Sequence, residues 1–481
     1  MRFLKFVWVF ILGMILSPIF SQEIVSVTKK GSRTKSQLTN STGIPFIRNG
    51  VTYYKMLYTS VDPKGSKDTL SGLLIVPDEL TKRYPKLIYE HGTSDCKQCI
   101  PSNYGTTGGD EGEIGLIGGG LGYVTILPDY MGMGEGRGFH PYVHAATIVR
   151  ATMDMLTATD TWCQNNNVAI NDQLFITGYS QGGYASMAVQ KHIEENNLPQ
   201  SVTASSHMSG PYSLSGVMKG LILDDKTYFY PAYIPNTLLG MQEVYGNLYS
   251  TLSDVFKPAF IQDITDYYNG KITLTMLNTR IIATLITQDG KSVPKNMLQE
   301  KLLDEMINDP NHPMNIALKE NDVYRWAPKT PTRILYCKAD DQVPYENSIV
   351  AYDTMKMLGA SKLELFDVLT SGNHGTCFNP AILNTILFFA SFQSITTDVN
   401  DEAYSNKFSV YFNGGNLELH SNNPLKSVDI YNIDGSILYS KSLNNVTHST
   451  IIGDAFHCDL CAIVTTDTYG HRLTKIVTKT Q

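Results

Sequence analysis

The chain has no surplus of positive charge: 38 lysines and arginines stand against 45 aspartates and glutamates, a formal charge of −7 over 481 residues. Without a basic stripe to meet a phosphate backbone, nucleic acid is excluded as its main partner. A membrane-spanning apolar run is missing as well. The run that begins the chain, behind Arg2 and Lys5, extends about a dozen residues, short of the roughly 20 that a transmembrane helix needs. With Pro18 and small Ser21 after it, it has the form of a secretory signal peptide over residues 1–21, cleaved near Ser21-Gln22, with an uncleaved anchor as the alternative. The mature chain is therefore expected outside the cell. No cysteine stands near that cleavage point, which argues against a lipoprotein.

Cysteine is sparse, seven in all. An exported chain permits disulfides but does not dictate their pairing. The spacings Cys96-x-x-Cys99 and Cys458-x-x-Cys461 could suggest zinc, but the two pairs fall in segments that read as different domains, so local disulfides or free thiols are the plainer expectation. Cys337 and Cys377 each sit three residues from a candidate catalytic residue, and a bridge between them is compatible with the sequence.

What is present is a large α/β pattern, too long for one ordinary domain. Strands are predicted at 51–58, 70–77, 86–92, 123–129, 173–177 and 202–208, with helical segments between them, notably 145–163. Such alternation implies a mostly parallel sheet with helices on both faces. From about 214 to 328 the pattern turns helical and aromatic, with Tyr228, Tyr233, Tyr267 and Tyr268 among its members, and reads as a cap inserted over the strand ends. Its aromatics pack the cap's own core or line a pocket for an apolar acyl group. Strands resume at 332–337 and 363–368, and a helix is predicted over 380–392. A polar linker, 396–404, then leads to short alternating strands over 405–481, with Asp434-Gly435 as a hairpin turn, a small all-β, sandwich-like domain.

Within this pattern, Gly178-Tyr179-Ser180-Gln181-Gly182 lies between a predicted strand and a predicted helix. Small residues flank the serine because a sharp strand-to-helix turn brings backbone against backbone, which is the geometry of a nucleophile elbow. A serine hydroxyl needs a histidine to take its proton and a carboxylate to hold that histidine, and in this architecture the chain order is Ser, Asp or Glu, His. Only His374 follows the resumed strand without falling in the terminal β-domain; it is placed in the loop Ser371-Gly372-Asn373-His374-Gly375. Asp340 follows its strand at once and is the chosen carboxylate, with Asp341 as the second choice. Backbone amides of Gln181, after the nucleophile, and of Thr93, after the strand ending in His91-Gly92, are assigned to the oxyanion hole. His91 is read as a structural hydrogen-bonder.

Over residues 45–395 these features resemble an α/β-hydrolase. More narrowly, His91-Gly92-Thr93, Pro128-Asp129-Tyr130-Met131-Gly132, His140-Pro141-Tyr142, the elbow, Trp326-Ala327-Pro328 and Asp340-Asp341-Gln342-Val343-Pro344 resemble the secretory lipase family, which includes fungal lipase A type enzymes and bacterial cell-wall-degrading esterases. The resemblance implies hydrolysis of lipid, carbohydrate or other small-molecule esters through an acyl-enzyme on Ser180, without metal or cofactor. Residues 405–481 separately resemble the C-terminal sorting domain of type IX secretion, through Val428-Asp429-Ile430-Tyr431-Asn432, Asp434-Gly435 and the basic end Lys475-Ile476-Val477. That implies a secretion-machinery partner and a bacterial surface or extracellular location. Cys461-Ala462 departs from the glycine and tyrosine such domains often carry, and a carbohydrate-binding or adhesive module is the alternative. The expected activity is that of an exported serine esterase on short to medium acyl esters. Serine peptidases on the same scaffold and a surface binding protein with a dormant hydrolase fold are the competing readings.

Overall fold

A computed structural model of the chain describes residues 23–106, 111–397, 408–413, 416–432, 437–452, 460–468 and 472–478. The expected signal peptide, the Asp434-Gly435 turn, Cys458 and most of the expected linker lie outside these residues.

The first ten strands are β1 (Ile24–Arg33), β2 (Val51–Val61), β3 (Lys67–Pro77), β4 (Lys82–Glu90), β5 (Val124–Pro128), β6 (Ile170–Tyr179), β7 (Val202–Met208), β8 (Thr332–Tyr336), β9 (Leu363–Asp367) and β10 (Thr396–Thr397). They form one sheet in the order β1-β2-β3-β5-β4-β6-β7-β8-β9, with β10 beside β4. Strands β5, β4, β6, β7, β8 and β9 pair in parallel; β1 to β3 are antiparallel and join through β3 against β5. Because both faces are covered, the central strands read as continuous apolar runs. Alternate residues serve opposite faces: Leu74, Ile88, Ile126 and Ile176 enter one buried cluster, while Leu73, Leu87, Leu127 and Phe175 enter another.

The helices are α1 (Lys35–Thr42), α2 (Gly112–Gly120), α3 (Ala145–Asn165), α4 (Gln181–Glu195), α5 (Lys219–Leu223), α6 (Tyr233–Tyr245), α7 (Pro258–Tyr268), α8 (Leu274–Asp289), α9 (Glu300–Asn308), α10 (Pro313–Glu320), α11 (Glu346–Met357) and α12 (His374–Ala390). Ile148 and Met155 of α3, Val189 of α4 and Met355 of α11 pack on the first cluster; Leu38 of α1, Leu116 of α2 and Phe388 and Phe389 of α12 pack on the second. Helices α5 to α10 all fall between β7 and β8. The buried Phe256, Phe260, Leu277, Ile281 and Met297 of this insertion are continuous with the first cluster. No helix among the described residues is long and apolar enough to cross a membrane.

Three expectations need correction. Strand β1 precedes the first strand predicted, 51–58; as an edge strand with mostly exposed side chains it lacks apolar alternation, and its Lys29 and Lys30 suit an edge that must not recruit another strand. The last helix starts at His374, not near Pro380: Asn373 caps it by accepting the Thr376 N–H at 2.9 Å, and Pro380 lies inside it. Residues expected to begin the linker, Thr396 and Thr397, instead pair with Arg83 and Lys82.

The C-terminal strands β11 (Phe408–Asn413), β12 (Asn416–Tyr431), β13 (Ile437–Ile451), β14 (Leu460–Asp467) and β15 (Arg472–Thr478) form an antiparallel sheet around Leu417, Leu419, Val428, Ile430 and Ile463. Leu387 of α12 packs against Tyr431, Ala462 and Val464 of this sheet.

Candidate active site

Ser180 stands between β6 and α4 with φ 59° and ψ −120°. An L-residue held there costs on the order of 1–3 kcal/mol and persists only where its surroundings over-determine it. They do so here. A Cβ on Gly178 would overlap the carbonyls of Gly182 and Glu90, one on Gly182 would overlap Glu90, and one on Gly183 would overlap Met208. The Ser180 N–H donates to the Met208 carbonyl at 2.9 Å, tying the elbow to β7. Ser180 Oγ is left at the N-terminal end of α4, where the helix dipole favours negative charge.

His374, first residue of α12, is reached from two adjacent aspartates with separate tasks. Its ring Nδ1 meets Asp340 Oδ2 at 2.7 Å, while its backbone N–H donates to Asp341 Oδ1 at 3.0 Å. The other oxygen of Asp340 accepts the amides of Gln342 and Val343 at 3.0 and 2.9 Å, which locks the carboxylate. A disulfide from Cys337 to Cys377 ties the end of β8 to the first turn of α12, and the Tyr179 hydroxyl, next to Ser180, donates to the His374 carbonyl at 2.6 Å. No hydrogen bond joins Ser180 Oγ to His374; in unliganded sites such contacts are often long and tighten only around substrate.

Thr93 follows β4 in the turn His91-Gly92-Thr93. The Gly92 N–H donates to both carboxylate oxygens of Glu111 at 2.9 Å, and Glu111 also accepts the Tyr89 hydroxyl at 3.1 Å. Thr93 Oγ1 lies 2.9 Å from the Tyr142 hydroxyl. The backbone amides of Thr93 and Gln181 make no hydrogen bond with the described residues. The Gln181 side chain donates to His140 Nε2 at 2.7 Å, while its amide oxygen is buried without a partner. His91 is buried between the Gly92 and Asp129 carbonyls and stacks on Tyr130, so it holds the turn.

Burial pushes His91, His140 and His144 down to about 4 and His207 to about 3, so these imidazoles are neutral at pH 7. Burial raises Glu90, beneath the elbow, to about 8 against a hydrogen bond from Thr152.

Two spaces meet this site. An apolar cavity of about 50 Å³ is lined by Ser180, Tyr142, Leu214, Leu221, Ile234 and Leu318, several of them from the helical insertion. A wider cleft of about 600 Å³ is lined by Thr93, His140, Gln181, Tyr267, Lys271 and others. Tyr228 and Tyr233 of the insertion line the apolar cavity, and Tyr267 and Tyr268 the cleft.

The sequence alone assigned no part to Tyr142, Glu111 or Asn373. Their signals are faint: Tyr142 belongs to the His140-Pro141-Tyr142 stretch, whereas a lone Glu after a glycine-rich loop carries no pattern. The zinc reading is overturned at its first pair, since Cys96 and Cys99 are bridged to each other. Cys163 is free and buried.

A family model described as secretory lipase matches residues 116–386, more than half of the chain. Comparison with curated proteins finds no match. Among solved structures, the rice cell wall degrading esterase LipA from Xanthomonas oryzae superposes with a TM-score of 0.65 at 24% identity, over 76% of this chain and 96% of that one. A Legionella pneumophila protein gives 0.68 at 21%, over 77% and 98%. Candida antarctica lipase A gives 0.55 at 13%, over 77% and 81%. At these identities the likeness is one of fold.

Proposed function

The chain belongs to the secretory lipase family, a family of ester hydrolases, and from that premise we propose that it is an exported serine esterase that acts on short to medium acyl esters through Ser180, His374 and Asp340. The observation that carries the reading is a serine held at φ 59° on a strand-to-helix turn whose preceding residue, Tyr179, bonds to His374 of a His374–Asp340 pair at 2.7 Å. Ser180 Oγ attacks the ester carbonyl while His374 Nε2 takes its proton; Asp340 fixes the tautomer through Nδ1–H and stabilises the imidazolium. The tetrahedral oxyanion is received by the amides of Thr93 and Gln181, which are unspent within the fold. The proton then passes from His374 to the departing alcohol, and water, activated by the same histidine, releases the acid and restores Ser180.

The small apolar cavity supports an acyl chain of few carbons, and the wider, mixed-lining cleft leaves room for a bulkier alcohol. The C-terminal β-domain is assigned to sorting by type IX secretion, which would deliver the enzyme to the bacterial surface or the medium; a mature secreted form that still contains residue 450 counts against removal of the domain during sorting.

Hydrolysis of a p-nitrophenyl ester series from acetate to palmitate, by the intact protein and by Ser180→Ala, tests the reading. Turnover should fall on the order of 10⁴-fold or more in the variant. Equal rates would remove Ser180 as nucleophile, and activity on aminoacyl anilides with none on acyl esters would favour a peptidase.

A further inference from the structure

Away from this site, three metal-ligating side chains converge on the outer face of the C-terminal sheet. Glu418 and His420 are two residues apart on β12 and so project to one side, opposite the fully buried Leu417 and Leu419. His448 of β13 is the cross-strand partner of His420, and Thr450 that of Glu418. His420 Nδ1 lies 3.0 Å from His448 Nδ1, and His448 Nε2 lies 3.3 Å from Glu418 Oε2. One ligand atom from each residue falls within 4.8 Å of the other two.

The neighbours hold these groups in the manner of an outer ligand shell. The Tyr411 hydroxyl, from β11, lies 3.1 Å from His420 Nε2, which leaves Nδ1 as the nitrogen turned toward the cluster. Thr450 Oγ1 donates to Glu418 Oε2 at 2.9 Å. In metal sites an acceptor on the outer ring N–H fixes ring orientation and raises imidazole basicity, and ligating carboxylates are themselves held by hydrogen bonds. The His448 side chain is 52% exposed, which opens the cluster to ions from solvent.

We propose that Glu418, His420 and His448 bind one divalent transition-metal ion of the zinc type, which fastens the outer ends of β12 and β13. Two imidazoles and a carboxylate suit such an ion, and with three protein ligands a tetrahedral zinc keeps one position for water. The location has a mechanical meaning. The β12–β13 ladder runs from Leu417 opposite Ile451 to His420 opposite His448, then breaks, and resumes only at Leu425 opposite Val446. Four ladder positions beyond the irregularity therefore hang on the pair that the ion would clamp.

The competing account is a plain hydrogen-bonded chain through Tyr411, His420, His448 and Glu418, with no ion. Titration of the metal-free, full-length protein with Zn²⁺ and Co²⁺, beside His420→Gln/His448→Gln and Glu418→Gln, separates the two. The proposal expects one more bound equivalent in the wild type than in the double variant, at least tenfold weaker binding in Glu418→Gln, and visible d–d absorption from the Co²⁺ form. Amide exchange at residues 417–421 and 448–451 should slow severalfold with Zn²⁺ in the wild type alone. Equal stoichiometry and affinity in wild type and double variant would overturn it. Should the double variant fold poorly, the wild type decides by itself: no Co²⁺ absorption and no Zn²⁺-dependent protection of those two segments also overturns it.

Discussion

Two neighbouring carboxylates at 340 and 341 differ by one position in sequence and by their whole role in space. Asp340 faces the imidazole and Asp341 the backbone amide of the same histidine. Asp340→Asn therefore keeps the shape of the site but presents the wrong hydrogen-bonding partner to Nδ1, and kcat should fall about 10³- to 10⁴-fold. Asp341→Asn keeps an acceptor for the His374 N–H and should cost less than about tenfold. Steady-state kinetics on one p-nitrophenyl ester compares them directly; equal losses would refute the division of labour. The choice between these aspartates was open in sequence because both follow β8 at once, and only the direction of each side chain separates them. Ser180 was far more legible, since the glycines around it are there for a steric reason that leaves a pattern. Thr93 and Gln181 were placed by their position after a strand and after the serine, whereas Glu111, which anchors the turn before Thr93, reaches it across 19 residues and leaves no local mark.

At the scale of elements, the elbow and the start of α12 must keep their spacing. Gly182 has no room for a methyl group because two backbone carbonyls, of Glu90 and His91, stand where it would go. Backbone cannot step aside as a side-chain tip can, so Gly182→Ala should destabilise at or above the upper end of the ~1–3 kcal/mol range for overpacking, with a loss of turnover that exceeds the loss of substrate binding. Thermal melts and a kcat-against-KM comparison test this; a variant as stable and active as wild type would contradict the close approach. The Cys337–Cys377 bridge closes a segment with a sequence separation of 40, worth up to ~4 kcal/mol by loop entropy. Cys337→Ser/Cys377→Ser should lower the denaturation midpoint and reduce kcat, because the bridge also holds the turn that carries His374. Unchanged stability under reducing and oxidising conditions would show that the bridge adds nothing. The start of α12 was misread from sequence because Pro380 is a strong stop signal, yet Asn373 caps the helix seven residues earlier and packing on β7 and β8 carries it through the proline.

For the molecule as a whole, buried titrating groups set the response to pH. His91, His140, His144 and His207 refuse protons in the fold that the unfolded chain accepts below about 6.5. Their contribution is complete above pH 6.5 and is lost as pH falls toward 4, at about 1.4 kcal/mol per pH unit for each net proton. Glu90 acts in the other sense: it keeps in the fold, up to about 8, a proton that the unfolded chain releases above 4.5, so it weakens the fold as pH rises from 4.5 to 8. Burial raises Glu111 and Asp129 in the same sense as Glu90, but of the three Glu90 is the one carried to about 8, so the four histidines dominate below 6.5 and Glu90 leads above it. Stability should therefore peak near pH 6.5, fall steeply toward pH 5 and decline gently toward pH 8, and Glu90→Gln should flatten the decline on the alkaline side and steepen the fall on the acid side. Denaturation midpoints at pH 5, 6.5 and 8 test both arms; a curve flat from 5 to 6.5 would contradict the burial of these imidazoles.

The sequence by itself determined the fold class and the chain order of the residues on which the proposed chemistry rests. A doubly covered sheet demands unbroken apolar strands, a tight elbow demands glycines, and a serine hydrolase on this scaffold demands its acid and histidine in a fixed chain order; each of these is a local steric or periodic requirement that composition can record. Only the tertiary structure decided which aspartate meets His374, that Cys96 pairs with Cys99 and Cys337 with Cys377, and that the helical insertion between β7 and β8 closes a cavity beside Ser180. It alone brings Glu418 and His420 against His448, 28 residues beyond His420. Those outcomes depend on contacts between residues far apart in the chain, where direction and distance carry the energy and no short pattern registers them.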